Sequence, residues 1–173
     1  ALVTALAIAL LLAALAPAAL AQGEGENQRD RVSQRLQERW EKVRQRLELI
    51  ITRFENNKER HVEAYNRAKE KVKQLLESLQ AKGYDVSKLA QDLQAWDAMI
   101  VKFAQDYAAF IDELKKVSEL VVGQSEGQFR AGLKEARRLL RQVQQDALDI
   151  RLYYQQTIRA DIQELKGQIP SAT

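Results

Sequence analysis

The one histidine of this chain, His61, lies four residues after Asn57. An imidazole and an amide one helical turn apart can form a polar layer in an apolar helix face, and such a layer can fix register or respond to pH. A metal site needs more ligands than one imidazole and scattered carboxylates. We therefore expect Asn57 and His61 to form a polar seam layer, with His61 partly exposed at its edge and hydrogen-bonded to Asp112 or to a carbonyl group, and we expect no metal site.

Basic side chains recur at helical spacing in two rows. The first row is Arg31, Arg35, Arg39, Lys42 and Arg46, and the second is Arg130, Lys134, Arg137 and Arg141. Such rows could meet anionic lipid, an anionic envelope polymer or nucleic acid. Charged residues that flank a coiled-coil seam are more often solvated or paired, here with the carboxylates of the segment between the rows. The formal net charge is only +3, and we expect no nucleic-acid partner.

Most catalytic and cofactor chemistry lacks the residues that it requires. The chain has no Cys, one His, seven Gly and two Pro, which excludes a disulfide, an iron–sulfur cluster, Cys-ligated zinc and a thiol nucleophile. The sequence contains no glycine-rich phosphate loop, no Ser-His-Asp set and no HExxH motif. Tyr153, between Arg151 and Arg159, is only a weak signal for a ligand that stacks on its ring. We predict that the protein is not an enzyme and uses no cofactor.

The segment at residues 1–21 has the composition of a secretory signal peptide. It carries no charge, Pro17 follows an apolar run, and Ala19 and Ala21 are the small residues that a signal peptidase requires before its cut. We expect an N-terminally truncated signal peptide at residues 1–21, cleaved after Ala21, and a linker at residues 22–28. An uncleaved membrane anchor is the alternative. Both predict export, to the periplasm, the extracellular space or the cell surface.

The middle of the chain carries the strongest coiled-coil pattern. Ten successive apolar positions are separated alternately by four and three residues, a spacing that arises rarely by chance. These positions are Leu89, Leu93, Trp96, Ile100, Phe103, Tyr107, Phe110, Leu114, Val117 and Val121. We expect one unbroken helix at about residues 86–122, with Asp85 or Ser87 at its N-cap.

The segments on either side repeat this pattern. The first extends over about residues 28–82 without Gly or Pro, and the other over about residues 126–166, ended by Gly167 and Pro170. Because the connections are short, neighbouring helices must run antiparallel.

The predicted fold is therefore all-α. It is an elongated antiparallel up-down-up three-helix coiled coil at residues 29–167, preceded by the signal-peptide helix and followed by a tail at residues 168–173. Counting back from the turns places Phe103 level with residues near 65 and 145.

The same count leaves residues 28–45 of the first helix protruding, because Val121 lies level with Leu47. An apolar stripe without an intramolecular partner suggests self-association or a docking surface. A stretch that frays or bends back is the alternative. The predicted interaction residues are Val32, Leu36, Trp40 and Val43, with Arg35, Arg39 and Lys42 beside them.

Four stretches carry a resemblance to known sequences. They read RFENNKERHVEAYNRAKEKV, AKGYDVSKLAQDL, SEGQFRAGLKEAR and QDALDIRLYYQQTIRADIQEL. In these the chain resembles uncharacterised exported coiled-coil helical proteins of ultra-small bacteria, which implies a location at the cell envelope. The layout is also similar to spectrin-like three-helix bundles, which implies scaffold geometry only. Small helical periplasmic chaperones carry Leu-Thr-x-x-Gln motifs, and this chain has none.

Together these features predict an exported, non-enzymatic coiled-coil protein that serves as a structural or protein-interaction module of the cell envelope. Its partner would be another protein or a second copy of itself. Two alternatives remain open. One is a periplasmic, chaperone-like or stress-buffering protein that holds unfolded clients, and the other is a protein that binds an anionic envelope polymer or a membrane surface.

Overall fold

The computed structural model describes residues 26–120 and 126–168. These residues form three long helices and include no strand, which confirms the prediction of an all-α fold. The predicted signal-peptide helix, the linker up to residue 25, residues 121–125 of the second connection and the tail beyond residue 168 lie outside the described residues.

The helices begin and end close to the expected residues. Helix α1 extends over Glu26–Ala81 and helix α2 over Ser87–Glu119. The third helix is continuous but has three parts, namely α3 at Glu126–Tyr153, a π-helical turn at Tyr154–Ile158 and α4 at Arg159–Gly167. We refer to these three parts together as the third helix.

The connection between α1 and α2 is closed by a glycine in the left-handed region. Gly83 has φ +84°, and its N–H donates to the carbonyl of Gln80 at 2.9 Å while the N–H of Tyr84 donates to Leu79 at 3.2 Å. This pair of bonds is a Schellman motif, which satisfies the last carbonyls of a helix. The expected cap differs, because Val86 occupies the N-cap of α2 without a side-chain bond, and the Asp85 carboxylate accepts the N–H of Ser87 at 3.0 Å.

The core lies along α2, which packs against both other helices. All predicted seam positions of α2 from Leu89 to Val117 are buried except Leu93, which is partly buried, and Ile111 joins them. The third helix contributes eight buried apolar residues. They are Phe129, Leu133, Ala136, Leu140, Val143, Ile150, Ile158 and Leu165.

Cross-helix contacts occur in opposite order along neighbouring helices, as they do in antiparallel pairs. Between α1 and α2, Lys69 pairs with Asp97 at 2.5 Å, and Glu55 pairs with Lys115 at 2.8 Å. The ring of Phe103 meets that of Tyr65 edge-on, with centroids 5.4 Å apart. This contact agrees with the register expected from the turns.

Helix α1 is packed unevenly along its length. It buries Leu47, Ile51 and Phe54 at one level and Val72 and Leu79 at another, and it buries no apolar side chain at residues 55–71 between them. The middle stretch of α1 therefore lies on the bundle with a partly exposed inner face, and this stretch holds the predicted polar layer.

Candidate functional site

The amino-terminal part of α1 projects beyond the other helices. Every side chain from residue 31 to residue 39 is exposed, including Val32 at 51% and Leu36 at 45%. Because these two residues precede Trp40, Val43 and Leu47 at spacings of three and four, they continue the buried face of α1 into solvent.

The structure pairs part of the predicted stripe within the molecule. Trp40 and Val43 are partly buried, and the Trp40 ring meets Phe129 edge-on with centroids 5.1 Å apart. The expectation that Trp40 and Val43 lack an intramolecular partner is therefore wrong. The physical reason is that the first turn of the third helix places the Phe129 ring against Trp40 of α1. The exposed part of the predicted apolar stripe is therefore shortened to Val32 and Leu36.

A small hollow marks the place where the projecting part meets the bundle. It has a volume of about 120 Å³, and apolar side chains line it together with the polar residues Glu41, Arg44, Ser118 and Glu119. The apolar lining residues include Trp40, Leu47, Val117, Leu120 and Phe129. The hollow continues the exposed stripe of Val32 and Leu36, so that an apolar side chain of a partner could insert here.

The projecting part is strongly basic. Residues 31–46 contain six basic and two acidic side chains, a formal charge of +4. Arg44 pairs with Glu41 at 2.8 Å, whereas Arg35, Arg39 and Lys42 are exposed and make no ion pair within the described residues. The apolar stripe therefore carries unneutralised cations beside it.

The predicted polar seam layer does not form as a bonded pair across helices. Asn57 is half-buried, and its Oδ1 accepts a hydrogen bond from Arg60 of the same helix at 3.3 Å. His61 is exposed, stacks on Tyr65 at 6.4 Å and meets the edge of Phe103 at 6.3 Å. The expected hydrogen bond from His61 to Asp112 is absent from the described residues, because the imidazole packs on aromatic rings instead.

Sequence reasoning missed two buried carboxylates of the third helix. Asp146 is 6% exposed and Asp161 is 4% exposed. Lys102 of α2 donates to Asp146 at 2.8 Å and to Asp106 at 2.6 Å. The same pattern recurs near the Gly83 turn, where the ammonium group of Lys88 bonds both Asp161 of the third helix and Asp92 of α2.

The second cluster has an additional member. Lys88 bonds Asp92 at 3.1 Å and also bonds Asp161, and the hydroxyl of Tyr153 donates to Asp92 at 2.8 Å. Each cluster thus contains one lysine and one aspartate from α2 and one buried aspartate from the third helix. Such clusters fix the register of two helices because a shift would leave a carboxylate buried without its cation.

The π-helical turn makes the two clusters compatible. On α2 the Lys-x-x-x-Asp pairs that begin at Lys88 and Lys102 are separated by two full heptads, but the separation of Asp146 and Asp161 is longer than two heptads by a single position. A π-helical turn accommodates one extra residue, so that Asp161 returns to the face that meets α2. The signal in the sequence is the pair of successive four-residue steps from Tyr154 to Ile162.

Burial and hydrogen bonding act on these carboxyl groups in opposite directions. Burial raises the pKa of Asp161, while the bond from Lys88 acts to lower it. Burial also acts to raise the pKa of Asp92. Hydrogen bonds to its carboxylate, including those from Tyr153 and Lys88, outweigh burial, so that the pKa of Asp92 is lowered. Burial and the bond to Asp92 raise the pKa of Tyr153 to about 12. The second oxygens of Asp146 and Asp161 are buried and accept no bond within the described residues.

No protein-family model, curated protein or solved structure matches this chain. Within residues 26–120 and 126–168, no three histidine or acidic side chains are grouped so that they could hold a metal ion. No helix in this part of the chain has an apolar stretch long enough to cross a membrane.

Proposed function

We propose that this chain is an exported, non-enzymatic helical protein of the cell envelope that binds a protein partner through the projecting part of α1. In this proposal the up-down-up coiled coil is the scaffold that carries the projecting part. The predicted signal peptide at residues 1–21 is the feature that supports export. The observation that carries the proposal is the run of exposed side chains at residues 31–39, in which Val32 and Leu36 extend the buried face of an unbroken helix.

The length of the projection supports a docking role. Residues 26–39 are helical and at 1.5 Å per residue reach about 21 Å beyond Trp40. A helix of this length is marginal in water without a packing partner. A second helix that covers Val32 and Leu36 would supply the missing apolar contact and would extend the seam already formed by Trp40 and Phe129.

The charge of this segment identifies the kind of partner. Two copies of residues 31–46 would bring formal charges of +4 together, and this repulsion disfavours a dimer through the stripe. An amphipathic helix with acidic residues beside its apolar stripe would pair with Arg35, Arg39 and Lys42. We therefore infer that the partner is an acidic helix of another protein.

The test is a site-specific crosslink in the envelope of the source organism. A photoreactive side chain at Leu36 should crosslink one acidic helical partner, and this adduct should disappear in a variant that also carries Val32→Glu. The same photoreactive group at Val101, an exposed apolar residue of α2, should not capture that partner. Capture that is equal at Leu36 and Val101 would contradict the proposal.

Sedimentation of the purified mature protein separates hetero-association from self-association. We expect a monomer, and we expect Val32→Glu with Leu36→Glu to leave both the sedimentation coefficient and the helicity unchanged. A dimer that these substitutions dissociate would show that the second copy is the partner. It would therefore contradict the inference of an acidic partner.

A second function is favoured by the unpaired cations of the same segment. Arg35, Arg39 and Lys42 could hold the protein on an anionic envelope polymer or membrane surface. Binding of this kind falls steeply as salt is raised. It would be detected as cosedimentation with anionic vesicles that is lost at high salt and in the triple variant in which these residues are replaced by Gln.

A further inference from the structure

A second groove, remote from the projecting part, lies between the middle of α1 and the π-helical turn of the third helix. Its volume is about 640 Å³. Its apolar lining includes Ala68 and Leu75 of α1 and Tyr154 and Ile162 of the third helix. All four are partly buried, so that the groove is an apolar surface open to solvent.

The groove exists because both helices leave space here. On α1 it coincides with the end of the stretch in which no apolar side chain is buried, and Ala68 is too short to fill the gap toward the third helix. On the other side, Tyr154 begins the π-helical turn, and its ring is held 5.2 Å from the ring of Trp96. Mid-helix π turns often occur at functional sites.

The charge around the groove has one sign. Arg67 and Lys71 of α1 line it, and none of its lining residues is acidic. Arg67 pairs with Glu63 at 3.5 Å in an exposed contact, and Lys71 makes no ion pair within the described residues. An anionic group placed between these cations would meet no opposing carboxylate from the groove lining.

We propose that this groove binds single molecules of a single-chain anionic amphiphile of the fatty-acid type. The carboxylate pairs with Lys71 and Arg67, and the acyl chain lies on Leu75, Tyr154 and Ile162. The volume is within the range of about 300–1,000 Å³ that is usual for small-molecule sites. A partner helix about 10 Å wide would contact this groove with one face only and would leave most of its surface in solvent.

Dodecanoate below its micelle concentration is a suitable probe, and Trp96 is the reporter because it packs on Tyr154. In a Trp40→Phe background, in which Trp96 is the single tryptophan, dodecanoate should change the fluorescence with saturation at one molecule per chain. Dodecyltrimethylammonium, which has the same chain length and the opposite charge, should bind at least tenfold more weakly.

Charge reversal distinguishes this groove from adventitious binding elsewhere. Arg67→Glu with Lys71→Glu should weaken dodecanoate binding at least tenfold. Lys73→Glu, on the same helix but outside the groove lining, should change it less than twofold. Circular dichroism at each ligand concentration should show unchanged helicity, since these side chains are exposed.

Three results would overturn the inference. They are equal affinity for the cationic amphiphile, unchanged affinity in the double charge-reversal variant, and binding to anionic vesicles without binding of monomeric dodecanoate. None of them bears on the crosslinking result expected at Leu36, so that the two proposals stand or fail separately.

Discussion

The ammonium group of Lys102 on α2 lies 2.8 Å from the buried carboxylate of Asp146 on the third helix. The lysine is about half exposed while the carboxylate is almost fully buried, so that the cation reaches in from the surface to neutralise a charge that water does not reach. The cluster of Lys88 and Asp161 repeats this relationship two heptads away on α2. Two such contacts define the alignment of these helices more narrowly than apolar packing alone does.

Removal of the cation should destabilise the bundle. Lys102→Met leaves the Asp146 carboxylate buried without its strongest partner. We expect the free energy of unfolding to fall by about 1–3 kcal/mol. The loss is modest because the lysine is partly exposed to solvent. Urea denaturation measures this difference. Lys116→Met, which removes a lysine from an exposed pair with Glu113, serves as the control and should change stability by less than about 0.5 kcal/mol.

The partner substitution supplies a rescue. When Asp146→Leu is added to Lys102→Met, no buried charge remains, and stability should return to the wild-type value or exceed it. A double variant that is less stable than Lys102→Met would mean that Asp146 contributes through its bond from Gln142, which is 3.0 Å long, rather than through the lysine.

The π-helical turn predicts an unusual tolerance to deletion. Deletion of Gln156, an exposed residue inside this turn, converts the turn to ordinary α-helix and leaves the two buried aspartates two full heptads apart, which equals the spacing on α2. The thermal midpoint should therefore stay within a few degrees of the wild-type value. Deletion of Gln144, which is exposed in α3, rotates the following residues by about 100° and should abolish the cooperative transition.

Truncation of the largest core side chains tests the packing of α2. Trp96 and Phe103 are both almost fully buried, and the indole N–H of Trp96 donates to the carbonyl of Ile150 at 3.1 Å. Trp96→Ala and Phe103→Ala should each lower the free energy of unfolding by about 3–5 kcal/mol. Val101→Ala, at an exposed position of the same helix, should change it little. A small loss at Phe103 would contradict the assigned seam.

The stability of the bundle should depend on pH through Asp161. Burial raises its pKa above the ordinary value of 3.8, so that the folded state binds this proton more tightly than the unfolded state. The ionised carboxylate of Asp161 therefore destabilises the folded state. This destabilisation is absent below about pH 4 and complete above the folded-state pKa of Asp161. The charged groups that face it are Lys88 and Asp92, with Tyr153 bonded to the latter.

Thermal unfolding of Asp161→Asn and Asp92→Asn between about pH 2 and pH 7 checks the sign. Asp161→Asn should gain stability relative to the wild type as the pH rises above about 4. Asp92, whose pKa is lowered, stabilises the fold above its ordinary pKa, and this contribution is lost as the pH falls through the folded-state pKa. The deficit of Asp92→Asn should therefore shrink in acid. Parallel profiles of the two variants would contradict these assignments.

Heptad spacing predicted the all-α class and much of the core, since apolar periodicity decides which face of each helix is buried. The contact between Tyr65 and Phe103 follows directly from counting residues from the Gly83 turn. The clusters around Asp146 and Asp161 could not be predicted in the same way. Aspartate on a helix is normally a solvent-facing residue, and its burial here depends on a lysine from another helix and on an irregular turn.

The exposed position of Val32 and Leu36 was predicted, but the extent of the exposed stretch was not. Counting residues could place Val32 and Leu36 beyond the bundle, but it could not place the Phe129 ring, whose position depends on where the second connection delivers the third helix. The missing bond of His61 has a similar origin. The stacking of an imidazole on Tyr65 and Phe103 depends on side-chain packing, which periodicity does not describe.

The contact between Trp40 and Phe129 joins segments that are far apart along the chain, whereas the contacts around Gly83 join near neighbours. Closing a long loop costs more chain entropy than closing a short one, so we expect the hairpin of α1 and α2 to form first and the Trp40 end to dock last. In the native protein the same end would be the first to open. A partner that bound residues 31–39 would therefore stabilise the part of the molecule that opens most easily. Amide hydrogen exchange of these residues would slow on binding.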